Sequence, residues 1–363
     1  ITNLKEKQMA HMIDTSNNRD NIAYVGEKPW HGLGAELQPG QTLEEWRAAA
    51  GLGWKVLEAK PWYEVPGQSA CAEFEGRKVL FRSDTHAPLS VMSDGFNVVQ
   101  PSQVLDLYGE IAKAGGFELE TAGCLSGGKR IWALGRVGEG ADVVNRDRVR
   151  PYILLATAFD GSMATVAKFT AVRVVCHNTI SMAIPQRDPE TGAASGGERD
   201  ETAAGKEQVV RILHSVKWTD KVAEDVRLKL GIVHNAYERF MVESRALASR
   251  PMMDKEADDF VAMLLEPYYG GKNSKGEQKD VRETKGYNRI LELFRGQAKG
   301  ADMAKQTRWG MLNAVTELVD HERGRSAGSR LESAWFGTGN AIKDRAYSIL
   351  NGEFSRVEDK IAA

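Results

Sequence analysis

Residues 151–184 read PYILLATAFDGSMATVAKFTAVRVVCHNTISMAI and form the most apolar long segment of the chain. We interpret the segment as three consecutive extended runs. Asp160-Gly161 predicts a hairpin between the first two runs, because glycine adopts the positive φ that a tight turn needs. The third run, Val172–Cys176, leads into Asn178-Thr179, which we interpret as the start of a helix. The segment therefore predicts the centre of an antiparallel sheet.

Further strands are predicted before this segment. Alternation of apolar and polar residues predicts a strand over Trp54–Val65. Turn residues at Glu75-Gly76 and at Ser126-Gly127-Gly128 each lie between two short extended runs, so they predict two more hairpins. The chain from about residue 53 to residue 185 is therefore predicted to be rich in strands.

Two helices are predicted in the N-terminal half of the chain. Thr42 and Glu45 have the spacing of a capping box, which indicates that a short helix begins there. A second helix is predicted over residues 102–114, where apolar residues recur on one face and Gly115-Gly116 follows as a stop signal.

The pattern changes after Pro185. Residues 186–205 are polar and have almost nothing to bury, so they predict a flexible linker. From Lys206 onward we interpret nearly every segment as helical: Val209–Val216 begins a long helical region, and a helix over Asp254–Leu265 is stopped by Pro267. Residues 270–280 predict a polar loop that is exposed and mobile.

Together these patterns predict an α+β protein. Its N-terminal half is an antiparallel, β-rich region with a packed helix, and its C-terminal half is mainly helical. The predicted divisions are an N-terminal tail at 1–20, a sheet domain with two helices at 21–185, the linker at 186–205 and a helical region at 206–363.

The composition of the 363 residues is ordinary for a soluble globular protein, with 42% hydrophobic and 27% charged residues. The net charge of -2 excludes a global positive field, so any nucleic-acid site must be a local patch. Cys71, Cys124 and Cys176 are far apart and odd in number, which indicates a reducing compartment and hence the cytoplasm. No apolar run reaches the length of a membrane span, about 18–20 residues.

Two short motifs have structural explanations. Leu125–Lys129 (LSGGK) resembles the signature motif of ABC-type ATPases, which works only opposite a P-loop, and the chain has no P-loop sequence. We therefore interpret it as a turn. Cys176 and His177 are neighbours on a predicted strand, so their side chains point to opposite faces and do not share a metal ion. We interpret Cys176 as a core residue.

Residue types that bind metal ions occur together at Asp320-His321-Glu322, at the end of a predicted helix. Such clusters hold metals for phosphodiester cleavage, so a metal-dependent nuclease is one alternative function. The other interpretation is a solvated helix end, where His321 and Arg323 suit the negative end of the helix dipole. The sequence fixes no further ligand, so we predict neither a metal site nor a cofactor.

The basic residues between 129 and 173 are the main candidate for a binding site. This interval holds eight cations against four acids, inside a chain of net charge -2. Arg146, Arg148 and Arg150 are two residues apart and share one face if the chain is extended there. The residues predicted to contact phosphate are Lys129, Arg130, Arg146, Arg148, Arg150 and Arg173.

Aromatic residues are interleaved with these cations. A positive groove with aromatic platforms is typical of proteins that bind single-stranded nucleic acid, and Trp132 is the candidate for stacking on a base. The alternative is an ordinary sheet surface of mixed charge, in which Trp132 is a core residue. The sequence leaves both interpretations open.

Three separated blocks of the chain are AYVGEKPWHGLG (23–34), DGSMATVAKFTAVRVVCHNT (160–179) and LNAVTELVDHERGRSAGSRLESAWFGTGNAIKDRA (312–346). Together they resemble the phage/plasmid-like protein family that is built on a domain of unknown function. The resemblance implies a mobile-element setting and transfers no catalytic activity.

A second resemblance concerns residues 115–185. A Gly-rich hairpin, a strand ending in Asp-Gly-Ser, another strand and then a helix are similar in order to the core of phage single-strand annealing recombinases. In that family a curved sheet packed on a helix lines a positive groove, and the subunits form rings. The resemblance implies single-stranded DNA as the partner and a homo-oligomer as the functional form.

We therefore predict a cytoplasmic protein of phage or plasmid origin that binds single-stranded DNA during annealing, recombination or replication. It acts as a homo-oligomer, without catalysis and without a membrane. The alternatives are the metal-dependent nuclease and a structural or host-interaction protein of a mobile element.

Overall fold

A computed structural model gives the fold of most of the chain. It describes residues 13–26, 33–67, 70–106, 109, 117–144, 146–173, 178–181, 209–212, 233–272, 276–324, 330, 333–335 and 337–353. Within these ranges the protein is α+β, as predicted, with strands concentrated in the N-terminal half and helices in the C-terminal half.

Three sheets contain the strands of the described residues. The strands are β1 (Ile22–Val25), β2 (Ala35–Leu37), β3 (Val56–Ala59), β4 (Trp62–Glu64), β5 (Cys71–Glu73), β6 (Arg77–Arg82), β7 (Pro88–Ser93), β8 (Glu118–Leu125), β9 (Arg130–Arg136), β10 (Ala141–Asp142), β11 (Arg148–Ala158), β12 (Thr165–Arg173), β13 (Asn178–Ser181) and β14 (Val209–Ile212). The largest sheet has the order β13-β12-β11-β9-β8-β1-β2, with β10 beside β11 and β14 beside β12. The two small sheets are β3-β6-β7 and β4-β5.

The apolar segment at 151–184 supplies the long strands β11 and β12, as predicted. Gly161, with φ of +73°, lies in their connection. The predicted helix start at Asn178-Thr179 was wrong, because these residues begin β13 and pair antiparallel with β12 from Thr170↔Ser181 to Arg173↔Asn178. β-Branched Thr179 and Ile180 suit a strand that has a partner. Cys176 lies outside the described residues.

A second correction concerns Val209–Ile212. These residues form β14 and pair antiparallel with β12, from Thr165↔Ile212 to Lys168↔Val209, whereas we predicted a helix from Val209. Strand pairing far away in the sequence has overridden an ambiguous local pattern. The predicted linker at 186–205 lies outside the described residues.

Of the hairpins predicted at Ser126–Gly128 and at Glu75-Gly76, the first is confirmed and the second is wrong. The Ser126–Gly128 turn joins β8 to β9, which pair antiparallel, so that hairpin is confirmed. At Glu75-Gly76 the turn exists, but its flanking strands do not pair with each other, because β5 pairs with β4 and β6 with β3 and β7. The predicted strand over Trp54–Val65 is divided into β3 and β4, and Pro61, which has no N–H for a ladder, lies between them.

The helices are α1 (Leu43–Ala49), α2 (Val233–Ser249), α3 (Asp254–Tyr269), α4 (Lys285–Glu292), α5 (Arg308–Glu317) and α6 (Thr338–Ser348). Residues 101–106 are also helical. The predicted capping box of α1 is present, with reciprocal hydrogen bonds between Thr42 and Glu45. The π-helical turns Leu293–Gln297, Leu318–Glu322 and Ile349–Glu353 follow α4, α5 and α6.

Helix α3 continues past Pro267, contrary to the predicted stop. A proline removes the hydrogen bond to the carbonyl four residues earlier, which here is that of Met263. Arg345 donates to that carbonyl over 3.4 Å, so the acceptor is satisfied and the helix runs to Tyr269. The loop at 270–280 is exposed at residues 271, 272 and 276–280, as predicted.

The chain folds into two compact units that interleave along the sequence. One comprises Ile1–Gly138, Tyr152–Lys168 and Val209–Val233, and the other Glu139–Pro151, Phe169–Gln208 and His234–Ala363.

Each unit has its own apolar core. In the first unit Leu80, Ile131 and Phe159 are fully buried. In the second, the ring of Phe240 lies 6.0–6.3 Å from those of Phe169, Trp309 and Tyr347. Within the ranges that the structure describes, no helix combines the length and apolar character needed to cross a membrane.

Candidate functional site

The main candidate site is the hairpin formed by β10 and β11 in the second unit, which we call the arginine hairpin (residues 141–150). Its strands pair at Ala141↔Val149 and Asp142↔Arg148. The turn is closed by main-chain hydrogen bonds from Asp147 to the Val144 carbonyl (2.7 Å) and from Val143 to the Asp147 carbonyl (2.9 Å).

Arg146 lies in this turn and not on an extended chain. Its φ of +64° is left-handed, a backbone conformation that few residues other than glycine adopt. The condition under which the three arginines share one face, an extended chain, is therefore met at Arg148 and Arg150 but not at Arg146. The reason is that the chain reverses between β10 and β11, which an alternating residue pattern does not reveal.

Arg148 and Arg150 do share one face of β11, as predicted, because Val149 between them is buried. The side chain of Arg148 is 49% exposed, and its Nε lies 3.9 Å from the Asp142 carboxylate. Arg150 is half-buried, and its Nε is out of solvent with no hydrogen-bond acceptor among the described residues. The described part of the chain gives neither Arg146 nor Arg150 a carboxylate within ion-pair distance.

Asp147 anchors the turn from within. Its side chain is fully buried and accepts a hydrogen bond from the indole Nε1 of Trp309 on α5, over 2.8 Å. Trp309 is also fully buried. Because Asp147 points into the protein, its neighbours Arg146 and Arg148 are exposed.

Helix α2 holds the hairpin at two further points and adds a cation. The Tyr237 hydroxyl donates to the Val149 carbonyl over 3.3 Å. Arg245 donates twice to the Asp142 carbonyl, over 3.0 and 3.3 Å. Burial raises the pKa of the Tyr237 hydroxyl, while a hydrogen bond with the main chain of Ala141 and the charges of Arg245 and Arg148 act against this rise. No sequence signal had indicated Arg245, Tyr237 or Trp309.

The other predicted contact residues are not all brought together. Lys129 is exposed in the turn before β9, and Arg130 donates to Ser162 Oγ over 3.0 Å, but both belong to the first unit. Trp132, in the same unit, is only 3% exposed and offers no ring face to a base in this conformation, which agrees with the core alternative. The backbone of Arg173 ends β12, and its side chain lies outside the described residues.

The acidic cluster of the nuclease alternative is engaged in ion pairs. The Asp320 carboxylate is buried and lies 2.7 Å from Lys343 Nζ, which is buried too. The Glu322 carboxylate accepts hydrogen bonds from Arg289 over 2.6 and 2.8 Å. Across the described ranges, no three or more His, Cys, Asp or Glu side chains are grouped so that they could hold a metal ion.

A second arginine site lies in the first unit and has the opposite character. Arg82 is 1% exposed and contacts the carboxylates of Asp14 (2.5 Å) and Asp84 (2.7 Å). Its guanidinium also lies 4.5 Å from the ring of Trp54. Burial alone would raise the pKa of Asp14, but hydrogen bonds from Ser16 and Arg82 and the charge of Arg82 lower it.

Comparison with known proteins gives a family and nothing closer. No curated protein and no solved structure matches the chain. The family model described as "Domain of unknown function (DUF932)" matches residues 88–192 and 201–335, which is more than half of the chain and includes the arginine hairpin and helix α5. The chain therefore belongs to the DUF932 family of domains of unknown function.

Proposed function

We propose that this protein binds single-stranded DNA without catalysis, through the arginine hairpin and Arg245. One observation carries the proposal. The described residues place no carboxylate near Arg146 or Arg150, and Arg148 has only one at 3.9 Å, whereas Arg82, Arg136 and Arg289 each have one within 2.7 Å. Guanidinium groups that lack a close carboxylate in the described structure, with those of Arg148 and Arg150 on one face of β11, are suited to the phosphates of a nucleic acid.

Partial burial strengthens this argument for Arg150. A cation that is half withdrawn from water without a counter-charge lowers the stability of the fold. A phosphate group at the exposed part of the guanidinium would supply the counter-charge that the described residues do not provide.

The wider setting is part of the same proposal. The protein is cytoplasmic, is encoded by a phage or plasmid, and serves annealing, recombination or replication as a homo-oligomer. The resemblance of three sequence blocks to phage/plasmid-like proteins supports the setting, and the resemblance of residues 115–185 to annealing recombinases supports the role.

Salt-dependent binding tests the proposal. Affinity for a single-stranded oligonucleotide is expected to fall with salt, with a log–log slope of about −0.7 per phosphate contact. The variant R146A/R148A/R150A removes three exposed or half-exposed cations, so it should weaken binding to every sequence and flatten the slope by about 2 units. Light scattering with and without DNA measures the oligomeric state.

The matched control is R282A/R295A/K305A. These three side chains are exposed, lie in the same unit, and change the net charge by the same amount. Equal loss of affinity in both triple variants, or unchanged affinity in the hairpin variant, would contradict the proposal. Cleavage of DNA that requires magnesium and is lost in D320N would favour the nuclease instead, and tighter binding of duplex would remove the preference for single strands.

A further inference from the structure

We propose that Arg148 and Arg150 bind two successive phosphates of one nucleic-acid strand, as a preformed pair of subsites with a fixed register. This inference rests on the proposed function and goes beyond it, because diffuse attraction to a polyanion requires no register.

The spacing on β11 supports two adjacent subsites. Residues two apart on a strand point the same way and lie about 6.6 Å apart along it. This distance is similar to that between neighbouring phosphates along one nucleic-acid strand. Arg148 and Arg150 have this relation, whereas Arg146 lies in the turn with a left-handed backbone and departs from it.

Side chains of two helices, α5 and α2, hold the backbone that carries the two arginines. A hairpin whose first strand has only two residues is not stable by itself. Here Trp309 of α5 contacts Asp147, while Tyr237 and Arg245 of α2 contact the carbonyls of Val149 and Asp142. A site supported in this way does not have to be ordered when the ligand binds, so its geometry selects the spacing of the ligand.

The two arginines also differ in what they offer. Arg148 is half-exposed and reaches solvent freely, which suits a phosphate that arrives from outside. Arg150 is less exposed and its Nε is out of solvent, so the terminal nitrogens of its guanidinium are the donors that a phosphate would contact. The planar guanidinium can bind a phosphate through two parallel hydrogen bonds, which lysine cannot do.

Two oligonucleotides of equal length and equal charge test the register. In one, every second linkage is a neutral methylphosphonate; in the other, the same number of neutral linkages is grouped at one end. Only the grouped oligonucleotide presents adjacent charged phosphates. The wild-type protein is expected to bind it about five- to tenfold more tightly, as expected for the net contribution of one hydrogen-bonded contact in water.

Single variants separate register from simple charge density. R146A, R148A and R150A each remove one positive charge. The preference for the grouped oligonucleotide should persist in R146A and disappear in R148A and R150A. R150K, which keeps the charge but not the planar group, should keep its salt slope and retain only part of the preference.

The outcomes distinguish the two proposals. Equal binding of both oligonucleotides by the wild-type protein, with intact binding of the unmodified strand, overturns the register and leaves the proposed function standing. A preference that persists in all single variants shows charge density alone and also overturns it. Absence of binding to the unmodified strand overturns the proposed function, and the subsites with it.

Discussion

Arg82 and Arg150 are both arginines, but they differ in whether residues of the described structure neutralise the charge of the guanidinium group. Arg82 is 1% exposed, and two carboxylates and an indole ring neutralise and cover its guanidinium. Arg150 is half-buried and has no counter-charge within the described part of the chain. Both lie on strands, so strand position does not distinguish them. The difference lies in whether the fold itself satisfies the charge.

This difference separates a stabilising role from a binding role. A buried ion pair is strongly destabilising when one partner is removed, because the other charge remains buried alone. A half-buried cation without a counter-charge does not stabilise the fold, and its charge is available to a ligand. The Arg82 cluster is therefore expected to govern stability, and the arginine hairpin to govern affinity.

The largest expected effect is on the Arg82 side of this comparison. R82M leaves the Asp14 carboxylate, which is 4% exposed, without its cation. The free energy of unfolding should fall by about 3–5 kcal/mol, and the double variant R82M/D14N should recover part of that loss. R150M should leave it unchanged or raise it, because the variant removes a half-buried cation that has no counter-charge among the described residues. Urea denaturation measures all three, and similar losses for R82M and R150M would break the comparison.

The next largest effect concerns the support of the hairpin. W309F keeps a ring in the core but deletes the N–H that Asp147 accepts, so it should cost about 1–3 kcal/mol. It should also accelerate native-state trypsin cleavage after Arg146 and Arg148. W54F is the matched control, because the Trp54 Nε1 is buried and makes no hydrogen bond with the described residues.

The two tryptophan variants differ in their predicted effect on the hairpin: W309F should expose it to trypsin, and W54F should not. W54F removes part of the ring that Arg82 contacts, so it should lower stability without exposing the hairpin to trypsin. If W309F left cleavage after Arg146 unchanged while lowering stability as much as W54F, Trp309 would be an ordinary core residue. The hairpin would then be held by α2 alone.

Local patterns in the sequence predicted the parts of the fold whose causes are local. The capping box of Thr42 and Glu45 and the turn at Ser126–Gly128 depend on residues within four positions, and both are present. Val209–Ile212 was misread because its strand character depends on β12, which lies about forty residues earlier. The pairing of β5 with β4 rather than β6 likewise depends on partners that no local pattern encodes.

The candidate site shows the same division. Alternation placed Arg148 and Arg150 on one face correctly, since period two is a property of the strand itself. The turn at Arg146 and the burial of Trp132 depend on the tertiary structure. Trp309 is 162 residues away from Asp147, so the sequence held no signal of that contact.

Acid should lower the free energy of unfolding through the carboxylates that are paired with arginines, and not through the arginine hairpin. A hydrogen bond from Arg289 is the main reason that the pKa of Glu322 lies below its ordinary value of 4.5. A carboxyl whose folded-state pKa is lowered stabilises the fold above its unfolded-state pKa, and this contribution is lost as the pH falls through the folded-state pKa. The free energy of unfolding should therefore decrease below about pH 4.5, and Asp14 should add to the decrease below its ordinary value of 3.8.

E322Q measures the share of Glu322 in that decrease. The variant should lose less than about 1 kcal/mol at neutral pH, because the pair is partly exposed. Between pH 5 and pH 3 its stability should fall less steeply than that of the wild-type protein, as followed by urea denaturation at each pH. An identical pH dependence in both proteins would mean that Glu322 does not contribute.

The smallest expected effect concerns Asp142, whose carboxylate is the one that the described residues place beside Arg148. The two side chains are 49% and 51% exposed and lie 3.9 Å apart, so their pair is worth less than about 1 kcal/mol to the fold. D142N should leave stability unchanged, because Arg245 binds the main-chain carbonyl of residue 142 and that contact does not depend on the side chain.

The Asp142 carboxylate nevertheless competes with a phosphate for Arg148. Its neutralisation should therefore tighten binding to single-stranded DNA by about two- to threefold at low salt, and the gain should vanish at high salt because the groups are exposed. The double variant D142N/R148A should bind no more tightly than R148A, which a fluorescence anisotropy titration of the four proteins measures. If D142N/R148A bound more tightly than R148A, the effect of Asp142 would come from the overall charge of the protein. Asp142 would then not compete with a phosphate for the side chain of Arg148.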